Sequence, residues 1–319
     1  MLVLGLSGGV DRIHTNKIAV AHDSAAVLMR DGKVVAAIEE ERLNRIKHTN
    51  KFPTNAIRAC LRIAGARLRD LDRVAFNYTE EGARAELMTN VLTGRAVSRL
   101  LGMRPEVDTS PRALLQAVME LELGEAVEQD RLWFVKHHVA HAYSAFGPSG
   151  FDRALVVTMD GQGEDESGYV AIGDARGIEV LRTTSVADSV GQLYSYVTHF
   201  LGFKFFDEFK VMGLVPYGDP SVYRSLFREL YTLGPEGTYT IHVARLLSLA
   251  EAIPPRQPQQ PFDQQYKNVA AALQESLETI AFHVLEHHRK ATGLTKLAFA
   301  GGVAHNCTLN GKVLASGLF

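Results

Sequence analysis

Short apolar blocks separated by glycine-rich or charged turns open the chain, and their spacing predicts strands. Residues 2–6 read as a buried strand ending in Ser7-Gly8-Gly9. Residues 10–16 form a polar loop containing His14, and 18–21 are apolar, leading into His22-Asp23-Ser24. Asp31-Gly32 lies between apolar runs at 25–29 and 34–38, the signature of a hairpin turn. The run Glu39-Glu40-Glu41-Arg42, with Arg45, Lys47 and His48 close behind, reads either as a solvated helix start or as the lining of a cleft. Pro53-Thr54-Asn55 opens a helix through about Ala64. A short strand at 73–77, helical patterns at 80–101 and 111–122, and a strand at 132–135 complete the first half.

The second half starts the same way. Residues 154–159 are a continuous apolar run, read as a buried strand, and 160–164 are its turn. Strands at 168–172 and 178–182 follow, joined at Gly173-Asp174. Helices at 190–201 and 262–290 then flank an exposed, Pro/Gln-rich connector at 254–261. A short strand at 296–300 runs into Gly301-Gly302 and a last helix that ends at Gly317. A strand–turn–strand–turn–strand pattern that turns helical, given twice, predicts an α/β protein of two related lobes facing a cleft. Ending straight after one helix is abrupt for an α/β lobe, and a truncated chain is expected.

Composition narrows the partners rather than naming them. The 319 residues are 46% hydrophobic and 22% charged with a net charge of −2, so neither nucleic acid nor a membrane surface is an expected partner. Two cysteines make no disulfide framework, and no leader or spanning segment is visible, which fits a cytoplasmic location.

The candidate chemistry centres on residues 134–167. His137 and His141 are four apart, which on a helix stacks two imidazoles on one face, one turn apart. Asp160-Gly161-Gln162-Gly163 follows the buried strand, and ligands of open α/β sheets collect at strand carboxyl ends. The bland alternative makes His137 and His138 surface residues and His141 a hydrogen-bonded core histidine. Lys210, among apolar residues before Gly213, is either a snorkelling surface lysine or a cation held over a phosphate or carboxylate. Gly301-Gly302, after a strand and before a helix, suits close approach of a nucleotide. His283 and His287 repeat the four-residue spacing without a strand-end acid and read as a structural or solvent face.

Five segments together resemble a family: HDSAAVLMRDGKVVAAIEEERLNRIKH, KHHVAHAYSAF, TMDGQGEDES, FKVMGLVPYGDP and AGGVAHNCTLN. They resemble the N-terminal domain of O-carbamoyltransferases of antibiotic tailoring and nodulation-factor decoration. The same core is similar to the metal-binding enzyme that makes threonylcarbamoyladenosine in tRNA. The resemblance implies the two-lobed α/β fold of actin, hexokinase and the heat-shock ATPases, with duplicated ribonuclease-H-like lobes. The first lobe would be residues 1–150 and the second, apparently truncated, 151–319.

The resemblance also implies a reaction. A carbamoyl-adenylate, made from carbamoyl phosphate and ATP with Mg²⁺ in a C-terminal domain, passes its carbamoyl group to the hydroxyl of a small-molecule acceptor. That C-terminal domain is absent from this sequence and would act in cis or as a separate chain. His137, His141 and Asp160 match the ligands of a divalent metal, typically Fe(II). His22 matches the catalytic base, and Lys210 falls in a lysine motif of the cleft. Gly161 and Gly163 of the strand-end turn are expected to bind the nucleotide together with Gly301, Gly302 and Asn306, which match the motif beside it. A further aspartate ligand would lie beyond Phe319, His305 stands where leucine is more usual, and a long loop after Ser7 makes His14 a rival to His22. A small-molecule kinase of the same superfamily and a non-catalytic nucleotide-binding fragment are the competing readings.

Overall fold

A computed structural model of the protein describes residues 1–9, 22–83 and 110–319. His14 and most of the helix expected at 80–101 lie outside the described residues. The chain divides into two compact units, Met1–His137 and His138–Phe319. This division precedes the one expected at 150/151. The reason is the helix His137–Phe146, whose Ala142 packs with Val156, Ala171 and Ala298 of the following sheet.

The first unit is built on a five-stranded sheet of order β3-β2-β1-β4-β5. Its strands are β1 (Leu2–Ser7), β2 (Ala25–Arg30), β3 (Lys33–Glu39), β4 (Arg73–Phe76) and β5 (Leu132–Phe134). The β1–β2 and β2–β3 pairs are antiparallel, and β4 and β5 add in parallel. Alternation on β1 turns Leu2, Leu4 and Leu6 into the core, where Ile57 and Cys60 of the helix Thr54–Ala64 meet them. The Asp31-Gly32 turn falls where the sequence predicted it, with exposed Arg30 and Lys33 on either side.

The acidic run after β3 is not a uniformly solvated helix start. Glu40 is 2% exposed. Its carboxylate accepts from the Ala56 backbone N–H (2.8 Å) and the Asn55 side-chain amide (2.6 Å). It therefore caps the helix Thr54–Ala64, whose own residue at the cap position is Pro53.

The second unit repeats the plan with a four-stranded sheet, β11-β6-β7-β8, and adds the small hairpin of β9 (Tyr231–Leu233) and β10 (Tyr239–Ile241). Its strands are β6 (Ala154–Gly163), β7 (Glu166–Asp174), β8 (Gly177–Ser185) and β11 (Leu297–Ala300). Again the first three pair antiparallel and the next strand, β11, joins the first in parallel. The two sheets share strand order and sense, the duplicated α/β plan that the resemblance implies. β6 is buried on both faces, which explains its unbroken apolar run. Leu155, Val157 and Met159 face a core made with the helices Val190–Phe200 and Gln264–Thr292, while Val156 faces the helix His137–Phe146.

Two further readings change. The turn expected at 160–164 is still strand: β6 runs on to Gly163 through a shift of register between Met159 and Gly163, and the chain reverses at Glu164-Asp165. The connector at 254–261 is anchored rather than merely exposed. Arg256, 7% exposed, donates to the carbonyls of Leu201, Pro258 and Gln260 and stacks 3.5 Å from the Phe262 ring centroid.

Glu40→Ala removes the acceptor for two partly or fully buried donors, and an unmade buried hydrogen bond costs about 1–3 kcal/mol. A loss of that size is expected in urea denaturation followed by circular dichroism. An unchanged midpoint would show that Pro53 and the surrounding core hold the helix without the carboxylate.

Candidate functional site

The helix His137–Phe146 sorts its three histidines by direction. His138 is fully buried against the sheet beside Ala142, and its Nδ1 lies 3.3 Å from the Thr158 hydroxyl. His137 and His141 are half-buried on the neighbouring face. The core histidine is thus His138, and not His141 as the bland reading had it.

Strand alternation puts Asp160 on the face of β6 that carries Val156 and Thr158, the face toward that helix. Asp160 Oδ2 lies 2.9 Å from His141 Nε2. One ligand-type atom from each of His137, His141 and Asp160 falls within 4.8 Å of the other two. The other carboxylate oxygen, Oδ1, accepts the backbone N–H groups of Gly161 (2.7 Å) and Gly302 (3.1 Å). Two imidazoles and a carboxylate with one oxygen pinned and the other directed inward suit a divalent first-row metal ion.

Glycine is required around this carboxylate for space. A Cβ at Gly302 would stand 2.8 Å from Asp160 Oδ1. At Gly301, with φ +93°, it would stand 2.3 Å from the Met159 carbonyl oxygen. A Cβ at Gly191 would meet the Asp160 carbonyl oxygen at 2.6 Å. Ser189 ties the bulge to the next helix: its hydroxyl lies 2.9 Å and 2.7 Å from the carbonyl oxygens of Asp160 and Gly161 and accepts from Gln192 N–H as helix cap.

The remaining expected residues separate. Gly163 closes the β6–β7 hairpin opposite Glu166. Asn306 caps the helix Cys307–Ala315 through Leu309 N–H and forms a reciprocal amide pair with Gln274 at 2.9 and 3.0 Å. That pair continues to Glu278 and Lys312, a network with no signal in the sequence. Lys210 is exposed, 2.7 Å from Asp207, with its ammonium 5.7 Å from the Phe209 ring centroid. Burial raises the Asp207 carboxyl, but the Lys210 and Lys204 contacts outweigh it and hold the group below its ordinary value. His283 donates to the carbonyls of Gly234 and Thr238, a structural role as read.

His22 lies in the first unit. Its Nδ1 is 2.7 Å from Asp23 Oδ2. The other oxygen, Oδ1, is 2.9 Å from His48 Nδ1, a contact the sequence reading missed. Glu41 also comes close, so Asp23, Glu41 and His48 again bring side-chain ligand-type atoms within 4.8 Å of one another. Burial raises the Asp23 carboxyl, but hydrogen bonds and charge from His22 and His48 outweigh it and hold it below its ordinary value. With the folded value depressed, this interaction stabilises the fold above the unfolded carboxylate range. That stabilisation is lost as pH falls through the folded value.

Comparison with known proteins agrees with these motifs. The family described as carbamoyltransferase N-terminus matches residues 14–319. Nodulation protein NolNO of Sinorhizobium fredii is 46% identical over 324 aligned residues, covering 100% of this chain and 46% of that protein. Nodulation protein NolO of Bradyrhizobium diazoefficiens is 50% identical over 186, covering 58% of this chain and 34% of that protein. The chain thus spans less than half the length of these curated relatives. Among solved structures, the (R)-2-hydroxyglutaryl-CoA dehydratase component A of Acidaminococcus fermentans aligns at TM-score 0.47 and 12% identity, over 99% of this chain and 88% of that one.

Protein purified with Fe(II) or a substitute divalent ion is expected to retain it through gel filtration, and the double variant His137→Ala/His141→Ala to lose it. Plasma mass spectrometry reads the content directly. Equal metal in both proteins would remove the site.

Proposed function

The chain belongs to the carbamoyltransferase N-terminal family, and from that premise we propose that it is the transfer domain of an O-carbamoyltransferase. The donor is carbamoyl-adenylate, made from carbamoyl phosphate and ATP by an adenylate-forming domain in cis or in a separate chain. The acceptor is a small molecule bearing a hydroxyl. The observation that carries this reading is the convergence of His137, His141 and Asp160 on one donor set in a chain of this family. It favours transfer over the kinase alternative, because kinases of this fold hold magnesium through carboxylates, and imidazole is a softer ligand suited to other metals.

When bound, a divalent ion, Fe(II) in this reading, polarises a phosphate or carbonyl oxygen of the donor. Everything else falls to the chain. His22 is the general base. A carboxylate only accepts, so the short contact to Asp23 assigns the proton of neutral His22 to Nδ1, and in this reading the acceptor's proton goes to Nε2. The acceptor oxygen bonds to the carbamoyl carbon, the bond from that carbon to the phosphate oxygen breaks, and AMP leaves with the electron pair.

Lys210 faces the departing phosphate in this reading. Releasing it from Asp207 breaks an exposed ion pair, worth about 0–1 kcal/mol, so a phosphate draws it away at little cost. The Gly161 and Gly302 N–H groups are already committed to Asp160. In this proposal Gly161, whose missing side chain leaves open space, admits the nucleotide, and Gly302 serves by making room for the Asp160 carboxylate. Gly301 and Asn306 keep the backbone and helix start that border the same place.

General-base catalysis is typically worth about 10²–10⁴-fold. His22→Asn in the enzyme complete with its adenylate-forming domain is expected to lose transfer to a hydroxylated acceptor by that factor while keeping its metal. Transfer near the wild-type rate in His22→Asn would reject His22 as the base and direct attention to His14.

A further inference from the structure

We propose that His48 is a positioning residue for His22, acting through Asp23, whose carboxylate bridges the two imidazoles. The inference rests on the reading of His22 as base, and it adds a residue that neither the motifs nor that reading assigns a role.

The geometry is a three-member chain within the first unit. His22 Nδ1 meets Asp23 Oδ2 at 2.7 Å and His48 Nδ1 meets Asp23 Oδ1 at 2.9 Å. The three side chains are 40–45% exposed. An aspartate bonded through one oxygen turns about its last torsion, which is broad and roughly two-fold. A second donor on the other oxygen fixes the carboxylate plane, and with it the direction in which His22 Nε2 points.

The segment that carries His48 is stitched to the strand start that carries Asp23. Ser24 N–H donates to the Thr49 carbonyl at 3.1 Å, and Glu40 N–H donates to the Ser24 carbonyl at 2.8 Å. His48 N–H donates to Glu41 Oε2 at 3.0 Å, and the Asn44 amide reaches the Thr49 hydroxyl at 3.3 Å. Asp23 and His48 both hold left-handed backbone, φ 53° and 51°, a conformation uncommon for residues other than glycine. Strained positions of this kind persist only when their surroundings over-determine them. Here the surroundings hold two imidazoles against one carboxylate.

The experiment uses the complete enzyme with ¹⁵N-histidine labelling. In the wild type, the His22 Nδ1–H proton is expected as a downfield resonance protected by Asp23. His48→Ala should broaden it by solvent exchange and lower kcat about 10–100-fold, the range for outer-shell partners of a functional site, with acceptor KM unchanged. His48→Asn places an amide near the Nδ1 position and should restore both, whereas His48→Gln places it near Nε2 and should not. If His48→Ala does not fold, the Asn and Gln variants make the comparison.

A sharp His22 resonance with wild-type kcat in both His48→Ala and His48→Gln would overturn the proposal. So would loss of one equivalent of bound divalent metal in His48→Ala with the His22 resonance unmoved, which would make Asp23, Glu41 and His48 a metal site instead. The His22→Asn variant separates the two ideas. Full transfer there rejects the base, whereas the resonance in the His48 variants still reports whether His48 positions His22.

Discussion

The candidate metal site depends on where the Asp160 carboxylate is held. One oxygen is fixed by two backbone N–H groups, Gly161 beside it and Gly302 from the far end of the chain. The other is left to face His141. That division explains the local sequence. Gly302 and Gly301 must lack side chains to let β11 deliver its end to the carboxylate, and Gly191 must lack one to let a helix start pack on the bulge. Alternation along β6 puts Asp160 on the side of Val156 and Thr158, toward the histidine helix, and the ladder to β7 shifts register just after Met159.

The same economy governs the first unit. Its sheet repeats the order of the second, and β1 likewise ends in glycines that allow close approach: a Cβ at Gly9 would stand 2.0 Å from the Asn50 carbonyl oxygen. The polar residues that gather there come from the hairpin start and the segment after Glu39, stitched by backbone hydrogen bonds. Two related sheets thus present different chemistry at corresponding strand ends, imidazoles and a carboxylate in one and a carboxylate flanked by imidazoles in the other. Fold sets the location and the local residues set the function.

Much of this was legible in the sequence where a short-range rule applied. Asp31-Gly32 named the hairpin, the unbroken apolar run named a buried strand, and the i, i+4 spacing put His137 and His141 on one helix face. What escaped depended on contacts between distant positions. Glu40 caps a helix that starts fourteen residues later in sequence, at Thr54, and reads as solvent-facing charge until the turn between them is known. His48 approaches Asp23 across 25 positions, and Asn306 meets Gln274 across 32. The strand extension through Gly163 was missed because glycines after an acid signal a turn, whereas here they make room inside a bulged strand.

The central claim is that Asp160, His137 and His141 form one metal site, and anomalous diffraction tests it most directly. Crystals of protein loaded with Fe(II), with data collected on both sides of the iron edge, should show one strong anomalous peak within coordination distance of His137, His141 and Asp160. A peak at Asp23, Glu41 and His48 instead, or no peak in protein that holds iron in solution, would contradict the account.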